Sequence, residues 1–346
     1  MDKTVVFAVA GAGKTQRIVD RLDEEGRFLL VTFTDANCQS LRARIFNRFG
    51  HFPENIHLYT YFSFLHSFCY RPFLLTEKRT KGVYFRRPAD ERNYPATNDR
   101  RFMTASRWLY HNRLASFIDK TGTTKDVIAR IEKYFDVFLV DEVQDFAGHD
   151  FNLLLALSKA RVECTFVGDF YQHTFDTSRD GNVNKGLHES YAGYQKRFLA
   201  AKLRVDVDSL VKSRRCSKSV CDFITESLGI RIESAADRET DVRFTEDAEV
   251  VGSLYGAPAV VKLFLQEHYN YGCHSQNWGA SKGLDHFEDV CVALSQDAVK
   301  AWKKGTLAAL KPSTRNKLYV ACSRPRGNLT LVPESLLRAH KKAAGD

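Results

Sequence analysis

No run of 18 apolar residues occurs anywhere in this 346-residue chain, so a membrane-spanning helix is excluded as a reading. The amino terminus carries a short apolar stretch, Thr4 to Val9, but it runs straight into a glycine-rich loop. A secretory leader would need a charged start and a small-residue cleavage site, and this fits only loosely. The eight cysteines make no Cys-x-x-Cys pair, and no histidine cluster stands at zinc spacing. A zinc site is therefore not expected, and reduced, mostly buried thiols in a cytoplasmic protein are. Internal repeats and low-complexity tracts are missing as well.

What remains is the composition of a globular protein: 44% hydrophobic, 27% charged, and long enough for two domains. The net charge of +9 suits a polyanionic partner, although many basic proteins bind no nucleic acid. Apolar, β-branched runs stand at Thr4–Ala8, Phe28–Thr32, Phe138–Val140, Thr165–Val167, Val290–Leu294 and Leu329–Val332. Helix-period segments lie between them, among them Asn37–Phe49, Phe151–Ala160 and Leu318–Ser323. Strand and helix in alternation predict βαβ units, hence an α/β fold with parallel sheets flanked by helices.

From Arg71 to Arg113 this rhythm stops. Eleven Lys and Arg face four acidic residues there, with Tyr84, Phe85, Tyr94, Phe102, Trp108 and Tyr110 mixed in. Basic residues interleaved with aromatics can follow phosphates and stack on bases. A solvated insertion whose charges only keep it soluble is the plainer alternative.

Three segments carry chemistry. Ala8-Val9-Ala10-Gly11-Ala12-Gly13-Lys14-Thr15 follows a predicted strand and opens a predicted helix, the context of a phosphate-binding P-loop. Gly11 and Gly13 let backbone N–H groups close on phosphates, and the helix N-terminus adds its positive dipole end. Lys14 would reach the β- and γ-phosphates and Thr15 would ligate Mg²⁺, with Ala10, Ala12 and Gln16 completing the nucleotide contacts. Phe138 to Asp145 is an apolar strand ending in paired carboxylates. There Asp141 would hold Mg²⁺, and Glu142 would orient and deprotonate the attacking water. Val167-Gly168-Asp169-Phe170-Tyr171-Gln172 ends the next strand, where the Gln172 amide could sense the γ-phosphate.

Read in order, these segments resemble those of the UvrD/Rep-like superfamily 1 helicases, from the first residues to about Leu331. Val31-Thr32-Phe33-Thr34 looks like motif Ia and Thr60-Tyr61-Phe62-Ser63-Phe64 like motif Ib, both single-strand contacts in the family. The Asp141-Glu142-Val143-Gln144-Asp145 run is similar to motif II, and the Gly168–Gln172 segment to motif III. Lys212-Ser213-Arg214-Arg215-Cys216 resembles motif IV, Ser281-Lys282-Gly283-Leu284 motif V, and Tyr319 to Arg324 motif VI. The resemblance implies two RecA-like P-loop domains, an ATP site completed by the arginines Arg215 and Arg324, and a single strand as track. Closure and reopening of such domains would be the mechanical cycle. Expected boundaries are 1–204 and 205–346, with a small basic helical insertion at about 71–133.

The chain also departs from the family. Its phosphate loop begins too near residue 1 for the upstream glutamine that reads adenine, and Arg214 stands where an aromatic stacks on the base. A guanidinium can stack too, so Arg214 joins the nucleotide residues, with Gly283. Phe175 fits the first aromatic of the motif III tail, but Thr177 replaces the tryptophan after it. Phe33 and Phe175 remain as stacking candidates, beside Thr34, Thr60, Phe62 and Trp278 on the strand. A tryptophan at Trp278 is more often packing than stacking, and His173, which could touch the strand or phosphate, reads more readily as an ordinary loop histidine. Motif V has one extra residue, which leaves open whether Asp285 or His286 meets the ribose. Only about 67 positions separate Arg215 from Lys282, so the large second-domain insertion of the family is nearly absent.

The expectation is a nucleic-acid-dependent ATPase, ATP- and Mg²⁺-dependent, translocating on single-stranded DNA ahead of RNA, with helicase activity as an extension. A protein partner is conceivable; a membrane partner is not expected. The alternative is an ATP-gated sensor or regulatory subunit without processive unwinding.

Overall fold

The computed structural model describes residues 1–86, 94–174 and 181–341. The chain packs as two compact units. One contains Met1–Phe7, Lys14–Gly168 and 181–206 among the described residues; the other contains Ala8–Gly13, Asp169–Thr174 and 207–341.

The first unit begins with β1 (Lys3–Phe7), α1 (Lys14–Asp20), β2 (Phe28–Thr32), α2 (Asp35–Phe49) and β3 (Ile56–Thr60). A short helix α3 (Tyr61–Ser63) runs on as π-helix over Phe64–Tyr70 and then as α4 (Arg71–Lys78). The basic segment follows, with strands β4 (Gly82–Tyr84) and β5 (Trp108–Tyr110) and helices α5 (Leu114–Lys120) and α6 (Thr124–Tyr134). Then come β6 (Val137–Val140), α7 (Gly148–Leu157), β7 (Glu163–Gly168), α8 (Tyr191–Ala200) and β8 (Arg204–Asp206).

Six of these strands form one parallel sheet in the order β3-β2-β6-β7-β1-β8. Every residue of β2 is buried, as expected for a parallel strand covered on both faces. That is why its sequence is an unbroken apolar run and not an alternating one. The chain turns from β2 into α2 at Thr34, whose hydroxyl caps the helix by accepting the Asn37 N–H. Gly50, left-handed at φ 77°, ends it.

The basic segment is not helical throughout, as the sequence suggested. Between its helices β4 and β5 pair in parallel, Gly82 opposite Trp108 and Tyr84 opposite Tyr110. A Cβ at position 82 would collide with the Trp108 indole, so glycine there lets the ring lie across the strand.

The second unit carries β9 (Lys212–Ser213), α9 (Lys218–Leu228), β10 (Glu233–Ser234), β11 (Val242–Phe244), α10 (Ala248–Gly256), β12 (Val261–Phe264) and β13 (Ser275–Asn277). It ends with β14 (Val290–Leu294), α11 (Gln296–Lys303), α12 (Pro312–Cys322) and β15 (Leu329–Pro333). Its main sheet is parallel, in the order β11-β15-β14-β12-β13. The strands β14 and β15 are buried along their whole length. All eight cysteines are free thiols, six of them buried. Among the described residues no helix is long and apolar enough to cross a membrane.

Candidate nucleotide and nucleic-acid site

In the first unit the candidate residues gather at the C-terminal edge of the parallel sheet, where ligands of α/β sheets bind. The loop between β1 and α1, Ala8–Gly13, packs with the second unit and holds two glycines at positive φ, Gly11 at 73° and Gly13 at 86°. It delivers Lys14 and Thr15 as the first residues of α1, with Lys14 buried. The Thr15 hydroxyl donates to Asp141 Oδ2 at 3.2 Å. Asp141 sits just beyond β6 and is itself buried, and its Oδ1 accepts the Glu142 N–H at 2.9 Å. Burial first, then the neighbouring Glu142 charge, push the Asp141 carboxyl up to about 7, against the pull of Lys14 and the two hydrogen bonds.

Glu142 itself is left-handed, at φ 57°, a conformation that costs a non-glycine residue and clusters at functional sites. Gln144 Nε2 donates to Glu142 Oε2, and Tyr194 donates its hydroxyl to Val143 O at 3.0 Å. A Cβ on Gly168 would strike the Gln144 amide oxygen and Val143, so this glycine lets the end of β7 lie against the acidic turn. Gln16 is engaged along α1, donating to Asp20 Oδ1 at 2.7 Å.

A hydroxyl beside a buried carboxylate is a hard oxygen pair that fits Mg²⁺, which takes one or two protein ligands and completes its shell with water and phosphate. Thr15 and Asp141 would be those ligands. No group of three or more His, Cys, Asp or Glu at metal distance occurs among the described residues.

The single-strand candidates of this unit have local partners. Thr34 caps α2, and Thr60 caps α3 by accepting the Ser63 N–H. Phe33 is half-buried. Phe62 stacks on His66, ring centroids 6.2 Å apart. Phe175 and the neighbouring Thr177 lie outside the described residues.

In the second unit, Ala10 N–H donates to the buried Tyr319 hydroxyl at 2.8 Å. That hydroxyl donates in turn to Asp169 Oδ2 at 3.0 Å, which also accepts Gln172 Nε2 at 2.8 Å. Arg214 N–H donates to Gly11 O at 3.0 Å while its side chain is exposed. A Cβ at Gly11 would overlap Ser213 Oγ and Arg215 Cβ, at 2.7 and 2.8 Å. The loop therefore needs glycine there for space as well as for φ. The two motif arginines meet at one carboxylate: Arg215 Nη2 lies 2.5 Å and Arg324 Nη1 3.5 Å from Asp285 Oδ1. Arg324 is fully buried, held also by Val320 O and the Ser323 hydroxyl. Burial and then the Arg215 charge lower its guanidinium to about 10, while Asp285 works in the opposite direction. Gly283, left-handed at φ 84° with open space around it, precedes this turn.

Asp169 and Tyr319 were not singled out as site residues by sequence, and Asp285 was weighed only as a ribose contact. Each stands inside a motif that was recognised, but only the folded chain shows which carboxylate pairs with which cation. One candidate is corrected. Trp278 is fully buried in the core of the second unit, and its Nε1–H donates to Leu263 O at 2.9 Å. With its polar edge satisfied and no face exposed, it is a packing residue and offers no base-stacking surface.

The model of the UvrD/REP helicase N-terminal domain matches residues 1–94. Residues 1–94 are thus similar to that domain. That match ends before the acidic turn, so the motifs after residue 94 rest on the residues themselves. Among solved structures, arterivirus nonstructural protein 10 (helicase) in complex with DNA is similar, with a TM-score of 0.51 and 15% identity. The similarity covers 97% of this chain and 63% of that one. The PRRSV helicase is similar with a TM-score of 0.47 and 14% identity, over 96% of this chain and 52% of that one. The chain thus spans less than two thirds of the length of these helicases. The arterivirus likeness supports the α/β fold of parallel sheets flanked by helices. A comparison with curated proteins gave no match.

Proposed function

We propose that this chain is an ATP-hydrolysing motor of the helicase type, with two RecA-like domains at 1–204 and 205–346, translocating on single-stranded nucleic acid, DNA before RNA. The observation that carries the reading is the Thr15 hydroxyl 3.2 Å from the buried Asp141 carboxylate, with Lys14 and Glu142 next to them in sequence. Lys14 would neutralise the β- and γ-phosphates, and the N–H groups of Ala10 to Gly13 would cradle them. Glu142 would orient the attacking water and take its proton. Mg²⁺, when bound at Thr15 and Asp141, neutralises charge on the phosphate oxygens.

Gln172, Arg215 and Arg324 are proposed to answer to the γ-phosphate, with Arg214 against the base. Phe33, Thr34, Thr60 and Phe62 are proposed to lie along the strand. Charge +9 and the match to the helicase N-terminal domain support a polyanionic track.

The test is turnover of ATP by wild type, Lys14→Ala and Glu142→Gln. Both variants are expected to lose about 100-fold or more, the scale of removing one group that stabilises transition-state charge. Wild-type turnover in either variant would refute the assignment.

A further inference from the structure

Five rings of the first unit form a row. Tyr70 stacks on His66 at 6.1 Å, and His66 on Phe62 at 6.2 Å. Phe62 meets Phe85 at 5.4 Å, and Phe85 stacks on His111 at 5.5 Å, the planes 27° apart. The row joins three places in the chain: the π-helical turn after β3, the residue that follows β4, and the residue that follows β5. It starts in the core, where Tyr70 is fully buried, and comes to the surface at Phe85, which is 66% exposed.

Packing alone does not explain this end of the row. Rings that meet only to escape water leave little area outside, yet Phe85 keeps most of its surface in solvent despite two ring neighbours. The surrounding sequence is cationic. From Arg71 to Arg86 there are five basic residues, Arg71, Lys78, Arg79, Lys81 and Arg86, against Glu77 alone. Glu77 is itself paired to Lys78 at 3.2 Å. Arg71, Arg79, Lys81 and Arg86 are exposed. An exposed aromatic surface within a cationic stretch of chain is complementary to a chain of planar bases on a phosphate backbone, and stacking tolerates any base.

We propose that Phe85, braced by Phe62 and His111 and set in the cationic stretch Arg71–Arg86, is a stacking platform for a base of single-stranded nucleic acid. The proposal rests on the nucleic-acid reading given above. Neighbouring rings 5.4–6.2 Å apart leave no room for an inserted base, which needs about 7 Å between flanking planes. The base therefore lies on the outer face of Phe85. Phe62, already a strand candidate, acts as the brace. The platform stands within the basic segment and is independent of the motif III tail, where Thr177 supplies no ring.

The experiment is fluorescence anisotropy of dye-labelled oligothymidine and oligouridine at fixed salt, with the full chain and no nucleotide. Phe85→Ala is expected to raise Kd about 5- to 150-fold, the worth of one base–aromatic stack. Phe85→Trp should hold affinity within about twofold, with its added indole fluorescence quenched by the oligonucleotide. Because the ring is exposed, Phe85→Ala should keep the wild-type melting temperature. Unchanged Kd for both polymers in Phe85→Ala, or no quenching in Phe85→Trp, would overturn the platform while leaving the motor reading standing. Absence of binding by wild type would overturn both. The ratio of oligothymidine to oligouridine affinity identifies the polymer.

Discussion

At the scale of single residues, Asp141 carries the sharpest expectation. Its carboxyl is buried, and in the folded chain it holds its proton up to about 7, against about 3.9 in an unfolded chain. Protonation thus favours folding. This contribution is fully present below about pH 4 and is lost as pH rises to about 7. Urea titrations across that range should show wild type losing stability relative to Asp141→Asn, whose amide stays neutral. A constant difference between the two would mean that Asp141 titrates normally. Gly11 makes a second test. Gly11→Ala places a Cβ against Ser213 and Arg215 at φ 73°, which should distort the loop and lower ATP affinity at least tenfold. Binding of a fluorescent ATP analogue measures it, and unchanged affinity would show that the loop accommodates the methyl group.

Residue chemistry was legible unevenly. Thr15 and Asp141 were expected at one Mg²⁺, and the folded chain brings them within 3.2 Å. Trp278 could not be read, because a tryptophan before a motif has the same letter whether it packs or stacks. Only the hydrogen bond to Leu263 O and the loss of all exposure decide it.

At the scale of elements, the strands with continuous apolar runs were readable nearly to the residue. β2 and β14 occupy Phe28–Thr32 and Val290–Leu294, the spans the sequence indicated, because burial on both faces removes every polar position. Helix starts were less clear. α2 begins at Asp35, two residues before the expected Asn37, since Thr34 supplies the cap. Replacing that cap by Thr34→Ala should cost about 1 kcal/mol of stability, measured by urea unfolding; no loss would mean that the hydroxyl is free for another partner. The three-residue strands β4, β5, β8, β11 and β13 escaped detection because so short a run has no period to recognise. In β4 and β5 a glycine–tryptophan pair and a tyrosine pair replace the usual β-branched run.

At the scale of the whole molecule, charge and topology point the same way. Both units carry parallel sheets, the architecture that collects ligand-binding loops at one edge. The excess of +9 predicts that binding of any single strand weakens as salt rises, with a log–log slope of about −0.7 per phosphate contacted. A binding constant indifferent to salt would separate the charge from the track. The proposed domain limits could not be drawn from packing alone, because Ala8–Gly13 and Asp169–Thr174 pack with the second unit while their flanking strands belong to the first.

ATP turnover and a single-stranded polymer are proposed to be coupled in this chain. Steady-state hydrolysis with no polymer, single-stranded DNA, single-stranded RNA and duplex, at one stated salt, tests it most directly. Strong stimulation by a single-stranded polymer, lost in Glu142→Gln, is the expected result. Turnover that ignores every polymer would contradict it, and would leave an ATP-gated sensor as the better description.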